Sequence, residues 1–205
     1  MEGLSFGWHP HRPLFQQLSF TASPNNSIAI VGPSGTGKST LLHCLMGLQA
    51  ATEGTIRYGQ THQHAANEQA WRDQFSLLLQ QQQLFTGTLR DNLKIANPKA
   101  TDEELWEALR LARLAKLAEQ RGGLDFTIGP EGLHLSGGQA RRLALARVLL
   151  RDAPIVLLDE PFTGLETNTA DALMKDIKEV LKGKILIMVT HHKAHSKMLD
   201  QTIYL

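Results

Sequence analysis

The stretch IAIVGPSGTGKSTLLHCLMGL, Ile28 to Leu48, limits the possible folds more than any other part of the chain. Its first four residues are apolar without alternation, the signature of a strand buried on both faces. The residues after Lys38 carry an apolar face at helical spacing, and between the two lies a loop matching G-x-x-x-x-G-K-S. Glycines at 32, 35 and 37 let backbone N–H groups converge on phosphate oxygens with no Cβ in the way. Pro33, Ser34 and Thr36 complete this loop, and the positive end of the helix that follows adds to the attraction for an anion. Lys38 is expected to reach the β and γ phosphates of a nucleotide, and Ser39, followed by Thr40, to set its hydroxyl on Mg²⁺. The plain alternative is a glycine-rich turn before a helix; the strand on one side and the helix on the other argue against it.

Two further apolar runs, IVLL at Ile155–Leu158 and ILIMV at Ile185–Val189, have the same character. Together the three predict a mostly parallel sheet covered by helices. The segments LSFGW and PLFQQLSF near the N-terminus alternate more and are expected to form an antiparallel β edge. From Pro98 to Leu150 the pattern turns helical. TDEELWEALRLARLAKLAEQ opens with Thr101 and Glu104 at capping-box spacing and puts Leu105, Ala108, Leu109 and Ala112 on one face. The expected fold class is therefore α/β, with a core from about 1–97 and 152–205 and an inserted helical subdomain over 98–151. A chain of 205 residues is long enough for one substantial core of this kind.

In APIVLLDEP an apolar strand ends in Asp159 and Glu160. Carboxylates at the carboxyl end of a buried parallel strand lie where ligands bind in open α/β sheets. Asp159 is read as a ligand of the magnesium ion through water, and Glu160 as the group that positions or deprotonates an attacking water. A solvated strand end is the alternative. The stretch LHLSGGQARRLALARVLL, Leu133 to Leu150, places Ser136, two glycines and Gln139 before a run suited to a helix. Glycine in a helix costs about 1 kcal/mol relative to alanine. Gly137 and Gly138 thus read either as a structural cap or as a helix start able to hold an anion.

Composition excludes other classes. A formal net charge of +1 gives no nucleic-acid footprint, which requires clustered excess lysine and arginine. One cysteine, Cys44, permits no internal disulfide and suits a reducing compartment; on the helix after the phosphate loop it reads as a small core residue. Apolar runs fall far short of the roughly 18 residues of a membrane span, and the N-terminus lacks the pattern of a secretory signal. The chain is expected to be soluble, whatever its partner. The histidine pairs 9/11 and 62/64 and the group 191, 192 and 195 lack the cysteines or acids that would complete a four-ligand metal site.

In order along the chain, GPSGTGKST, a glutamine near Gln80, LSGGQ, IVLLDE, TGLE and VTHH resemble six motifs of the nucleotide-binding domain of ATP-binding cassette (ABC) transporters. They match Walker A, the glutamine loop, the signature, Walker B, the D-loop and the switch histidine. The resemblance covers nearly the whole chain. It implies a P-loop NTPase fold of ABC type, a single domain over 1–205, ATP and Mg²⁺ as cofactors, and ATP hydrolysis coupled to transport. In that family two domains pair head to tail, so that Ser136, Gly137, Gly138 and Gln139 would meet a nucleotide held mainly by the partner. Trp8 falls where the family has a tyrosine that stacks on adenine, with a core aromatic as the alternative reading. His191 resembles the switch histidine that contacts the γ phosphate. The exporter pattern sets its glutamine five residues before the phenylalanine of LF, so Phe85 selects Gln80 for catalysis and metal binding and leaves Gln81–Gln83 exposed. Glu166 departs from the usual D-loop aspartate and puts the cross-dimer geometry there in question.

LFTGTLRDNLKIANPKATDEELWEAL and GPEGLHLSGGQ, with Glu131 or Pro130 near the usual acidic position, resemble exporter-type domains. LLDEPFTGLE and LSGGQARRLALAR are most similar to the bacterial exporters of cysteine and glutathione that support cytochrome bd assembly. The implied partners are a second nucleotide-binding domain, as homodimer or heterodimer, and the transmembrane domain of an exporter, fused or separate, with no nucleic acid. The implied place is the cytoplasmic face of the inner membrane. Two alternatives stand beside the motor reading: a regulatory or weakly active half of a heterodimer, motivated by Glu166, and a soluble non-transport ABC ATPase.

Overall fold

The computed structural model describes residues 1–9, 11–81 and 83–205, and of Glu131 the backbone alone. In chain order it contains strands β1 (Glu2–Phe6), β2 (Phe15–Leu18) and β3 (Ile28–Val31), helix α1 (Lys38–Met46), and strands β4 (Glu53–Thr55) and β5 (Phe75–Leu78). There follow helices α2 (Asp102–Leu111) and α3 (Gly137–Leu150), strand β6 (Ile155–Asp159), helix α4 (Thr167–Val180), and strands β7 (Ile185–Val189) and β8 (Gln201–Tyr204), with shorter turns and helices between. Two compact units result: Met1–Phe75 with Ala153–Asp159 and Gly183–Leu205, and Ser76–Asp152 with Glu160–Lys182.

In the first unit the three apolar runs predicted as strands are β3, β6 and β7. They lie parallel with β8 in the order β8-β3-β7-β6, in a five-stranded sheet completed by β5, which begins at Phe75. Ile28, Ala29, Ile30, Leu157, Leu158 and Met188 are fully buried. Each large side chain so removed from water contributes roughly 1.5–3 kcal/mol, which is why these strands carry no polar alternation. The register sets Asp159 level with Val189 and Val189 level with Ile30. The residues that follow β3, β6 and β7 therefore emerge together at the carboxyl edge of the sheet. The antiparallel strands near the N-terminus form a sheet of their own, ordered β2-β1-β4, with Leu4, Phe6 and Phe15 buried.

The second unit is built on helices. Thr101 caps α2 in the predicted capping box: its backbone N–H donates to Glu104 Oε2 at 2.7 Å, and Glu104 N–H donates to Thr101 Oγ1 at 3.3 Å. Leu105, Ala108, Leu109 and Ala112 are all buried, and Leu143 and Ala146 of α3 join them in one cluster with Leu93 and Ile128. The helical pattern continues past Leu111 but the helix does not. Arg113 takes φ +56°, its N–H donates to Arg110 O, and Leu114 N–H donates to Leu109 O at 2.7 Å. These are the two hydrogen bonds of a Schellman ending, here with arginine where glycine is usual. The Arg113 guanidinium lies on Asp176 of α4 at 2.7 Å, and its carbonyl accepts from Arg142 at 2.7 Å. Among the described residues no helix is long and apolar enough to cross a membrane.

Candidate functional site

The loop from Gly32 to Gly37 turns between β3 and α1 with Gly35 at φ +83° and Gly37 at φ +93°, conformations that L side chains rarely adopt. A Cβ on Gly37 would stand 2.9 Å from Leu14 Cβ, and one on Gly35 would meet nothing within 4 Å. Gly37 is thus held from beneath while Gly35 faces open space. Lys38 opens α1 and is 8% exposed. Its ammonium donates to Gly32 O at 2.9 Å and Pro33 O at 2.6 Å. An ammonium has three donors, so this lysine staples the loop with two and has a third for a ligand. Thr36 Oγ1 closes the loop on Pro33 O at 3.0 Å. Ser39 and Thr40 follow in the first turn of α1, where N–H groups have no acceptor inside the helix.

Two other sequence-predicted residues share that edge. Asp159 ends β6 and is 3% exposed. His191 follows Thr190, whose N–H donates to Ile30 O at 3.1 Å, and is exposed with its ring 4.2 Å from that of His192. Loop, carboxylate and histidine thus come from three neighbouring strands of one sheet, as ligand sites in parallel α/β sheets do. Trp8 is 64% exposed and meets Phe6 edge to face at 5.0 Å. That exposure removes the core-aromatic reading. Phe6 in turn neighbours Phe15, whose ring lies 3.3 Å from the Cβ position of Gly37.

The second unit holds the remaining predicted residues. Ser136 caps α3: its Oγ accepts Gln139 N–H at 3.3 Å, and Gln139 Oε1 accepts Ser136 N–H at 2.9 Å. Gly138 has a reason within the chain, since a Cβ there would stand 2.9 Å from Leu165 Cδ2. Gly137 has none among the described residues: a Cβ would meet nothing within 4 Å. Ser136, Gly137, Gly138, Arg141, Thr163 and Glu166 help line an open cavity of about 670 Å³. Gln80 is exposed, as are Gln81 and Gln83; Gln82 and the Glu131 side chain lie outside the described residues. Glu160 adopts φ +47°, a left-handed conformation that costs a non-glycine residue about 1–2 kcal/mol. Thr163 braces it, with N–H on Glu160 O at 3.3 Å and Oγ1 on Glu160 Oε2 at 3.0 Å.

Sequence reasoning passed over the arginines of α3. Arg141 donates to Gln80 O at 2.7 Å and to Glu160 O. Arg147 donates to Gln83 O and Asn92 O, both at 2.7 Å, and to Asn92 Oδ1, with its guanidinium 5.5 Å from the Phe85 ring centre. Burial pulls the Arg147 guanidinium down to about 10 and lowers that of Arg142 as well. The available signal was three arginines in a helix whose other residues are mostly leucine and alanine; guanidiniums are half-buried only where acceptors wait for them.

The ABC transporter family model matches residues 15–163. Among curated proteins, the Escherichia coli K12 glutathione/L-cysteine transport system ATP-binding/permease protein CydC is 41% identical, over 91% of this chain and 32% of its own length. The mitochondrial iron-sulfur clusters transporter ATM1 of Debaryomyces hansenii is 35% identical over 100% of this chain and 30% of its own. A solved bacterial Atm1-family ABC exporter with ATP bound superposes with a TM-score of 0.93 at 29% identity, covering the whole of this chain and 36% of that one. The chain spans about a third of the length of the curated relatives it matches. The matched range runs from the phosphate loop through the Ser136 helix to the Asp159–Glu160 pair, and the chain belongs to the ABC transporter family.

Proposed function

We propose that this chain is the ATP-binding and hydrolysing domain of an ABC exporter, a single domain over 1–205 that works as one of a pair and drives a transmembrane partner at the cytoplasmic face of the membrane. The observation that carries this reading is the stapled loop: a buried lysine whose ammonium is held on the Gly32 and Pro33 carbonyls of a loop in which Gly35 faces open space. A triphosphate is the ligand that such a loop suits, because it presents several anionic oxygens to N–H groups and one cation at once. The loop from Gly32 to Thr40 takes the phosphates and Trp8 offers its exposed face to the adenine. His191 contacts the terminal phosphate.

Ser39 and Asp159 supply oxygen donors that suit Mg²⁺, with Gln80 as a further ligand. Mg²⁺ commonly binds through one or two protein oxygens together with substrate phosphates, and this donor set would suit that mode. When bound, Mg²⁺ neutralises charge on the phosphate oxygens. Glu160, held by Thr163, accepts a proton from the attacking water or orients it. Ser136, Gly137, Gly138 and Gln139 bind the nucleotide of a second copy or of a related domain. The 41% identity with CydC supports a place near the glutathione and cysteine exporters.

The test is phosphate release from ATP and Mg²⁺ by the purified chain. Glu160→Gln is expected to slow turnover by about 10²-fold or more, the contribution of a positioned general base, while ATP affinity persists. Equal turnover by the two proteins would overturn the assignment of Glu160.

A further inference from the structure

We infer that Arg141 is a positioning residue for hydrolysis, tying the geometry of Gln80 and Glu160 to the helix that the signature motif begins. The inference rests on the ATPase reading above. One planar guanidinium donates through its two terminal nitrogens to main-chain carbonyls eighty residues apart in sequence, those of Gln80 and Glu160. Both residues have proposed roles at the reacting phosphate, and these bonds go to their backbones, so Arg141 fixes where their side chains start. Glu160 is served by such a hold, because its backbone sits in the left-handed region, where Thr163 also braces it. Glycine would adopt that conformation freely, but a carboxylate is required there.

Arg141 lies one turn after Gly137 on α3, so the two move as parts of one rigid element. In a head-to-tail pair, Gly137 faces the nucleotide held by the partner, while Arg141 holds the two groups that act on this chain's own nucleotide. A shift of α3 on engagement of one site would thus be felt at Glu160 of the other. Lysine in place of Arg141 keeps the charge but offers a single point donor where the geometry uses a fork.

The experiment compares wild type, Arg141→Ala and Arg141→Lys in steady-state ATP hydrolysis with Mg²⁺, in equilibrium binding of ATP, and in thermal unfolding. The expected result is kcat reduced about 10-fold or more in Arg141→Ala, with KM and Kd for ATP changed less than about 3-fold, the split expected for a loss confined to the transition state. Arg141→Lys should lie between, and millimolar guanidinium should restore part of the lost kcat in Arg141→Ala only. If Arg141→Ala does not fold, Arg141→Lys carries the same kcat-against-KM comparison. Unchanged kcat in a folded variant, or a rise in Kd that matches the fall in kcat, overturns the inference while leaving the ATPase reading intact. A wild type that releases no phosphate overturns the ATPase reading and the inference with it.

Discussion

Adjacent glycines on α3 should respond oppositely to the same methyl group. A Cβ on Gly137 meets nothing within 4 Å, whereas one on Gly138 stands 2.9 Å from Leu165 Cδ2 and 3.5 Å from Gly164 O. Gly137→Ala therefore adds no clash and narrows the unfolded ensemble, a gain of about 0.4–1 kcal/mol at a compatible site. For a chain of this size each kcal/mol shifts Tm by roughly 2–4 °C, so Gly137→Ala should unfold about 1–4 °C higher than wild type. Gly138→Ala receives the same gain but must displace Leu165, and overpacking costs about 1–3 kcal/mol. Since the contact is the end of a rotatable side chain, the lower half of that range applies, and the net change runs from about zero to about 1.5 kcal/mol of lost stability. Thermal unfolding by circular dichroism without nucleotide separates the two. In the proposed head-to-tail pair the added methyl would stand where Gly137 meets the partner's nucleotide, so ATP turnover should then fall at least 10-fold in Gly137→Ala. A variant more stable than wild type and catalytically poor is the expected combination. Loss of stability in Gly137→Ala, or wild-type turnover in it, would refute the reasoning.

Asn92 is fully buried and accepts Phe85 N–H while donating to Phe85 O and Thr88 O, with Arg147 on its Oδ1. Asn92→Ala leaves these groups short of partners and should cost about 2–4 kcal/mol in urea denaturation; a loss below about 1 kcal/mol would contradict the hydrogen-bond account. Burial pushes the Cys44 thiol up to about 11, whereas the unfolded thiol ionises near 8.5. The folded state thus favours the neutral thiol, so its contribution is complete below about pH 8.5 and is lost as pH rises toward 11. The stability advantage of wild type over Cys44→Ala should accordingly shrink between pH 8 and pH 10.5 in chemical denaturation, and a constant gap would contradict it.

Much of this architecture is legible in the sequence because it follows from local rules. The unbroken apolar runs at 28–31, 155–158 and 185–189 admit only strands buried on both faces, and Thr101 with Glu104 marks the start of α2 by hydrogen bonds made within three residues. What stays hidden depends on partners far along the chain. The end of α2 at Arg113 defies the usual preference for glycine and is supported by Asp176 and Arg142. Arg141 likewise shows its purpose only once Gln80 and Glu160 are brought to it. The two glycines of LSGGQ, identical as letters, separate in the same way: Leu165 accounts for Gly138, and among the described residues no side chain near it accounts for Gly137.

The most direct test of the central claim is a calorimetric titration of the wild-type chain and of Lys38→Ala with ATP and Mg²⁺. A unit charge pair about 4 Å apart at an effective dielectric near 20 is worth roughly 4 kcal/mol, on the order of 10²–10³-fold in affinity. Wild type is predicted to bind one ATP per chain, and Lys38→Ala to bind at least 100-fold more weakly. Absence of binding by the folded wild type, or equal affinity in the two proteins, would contradict the assignment of this loop as the nucleotide cradle.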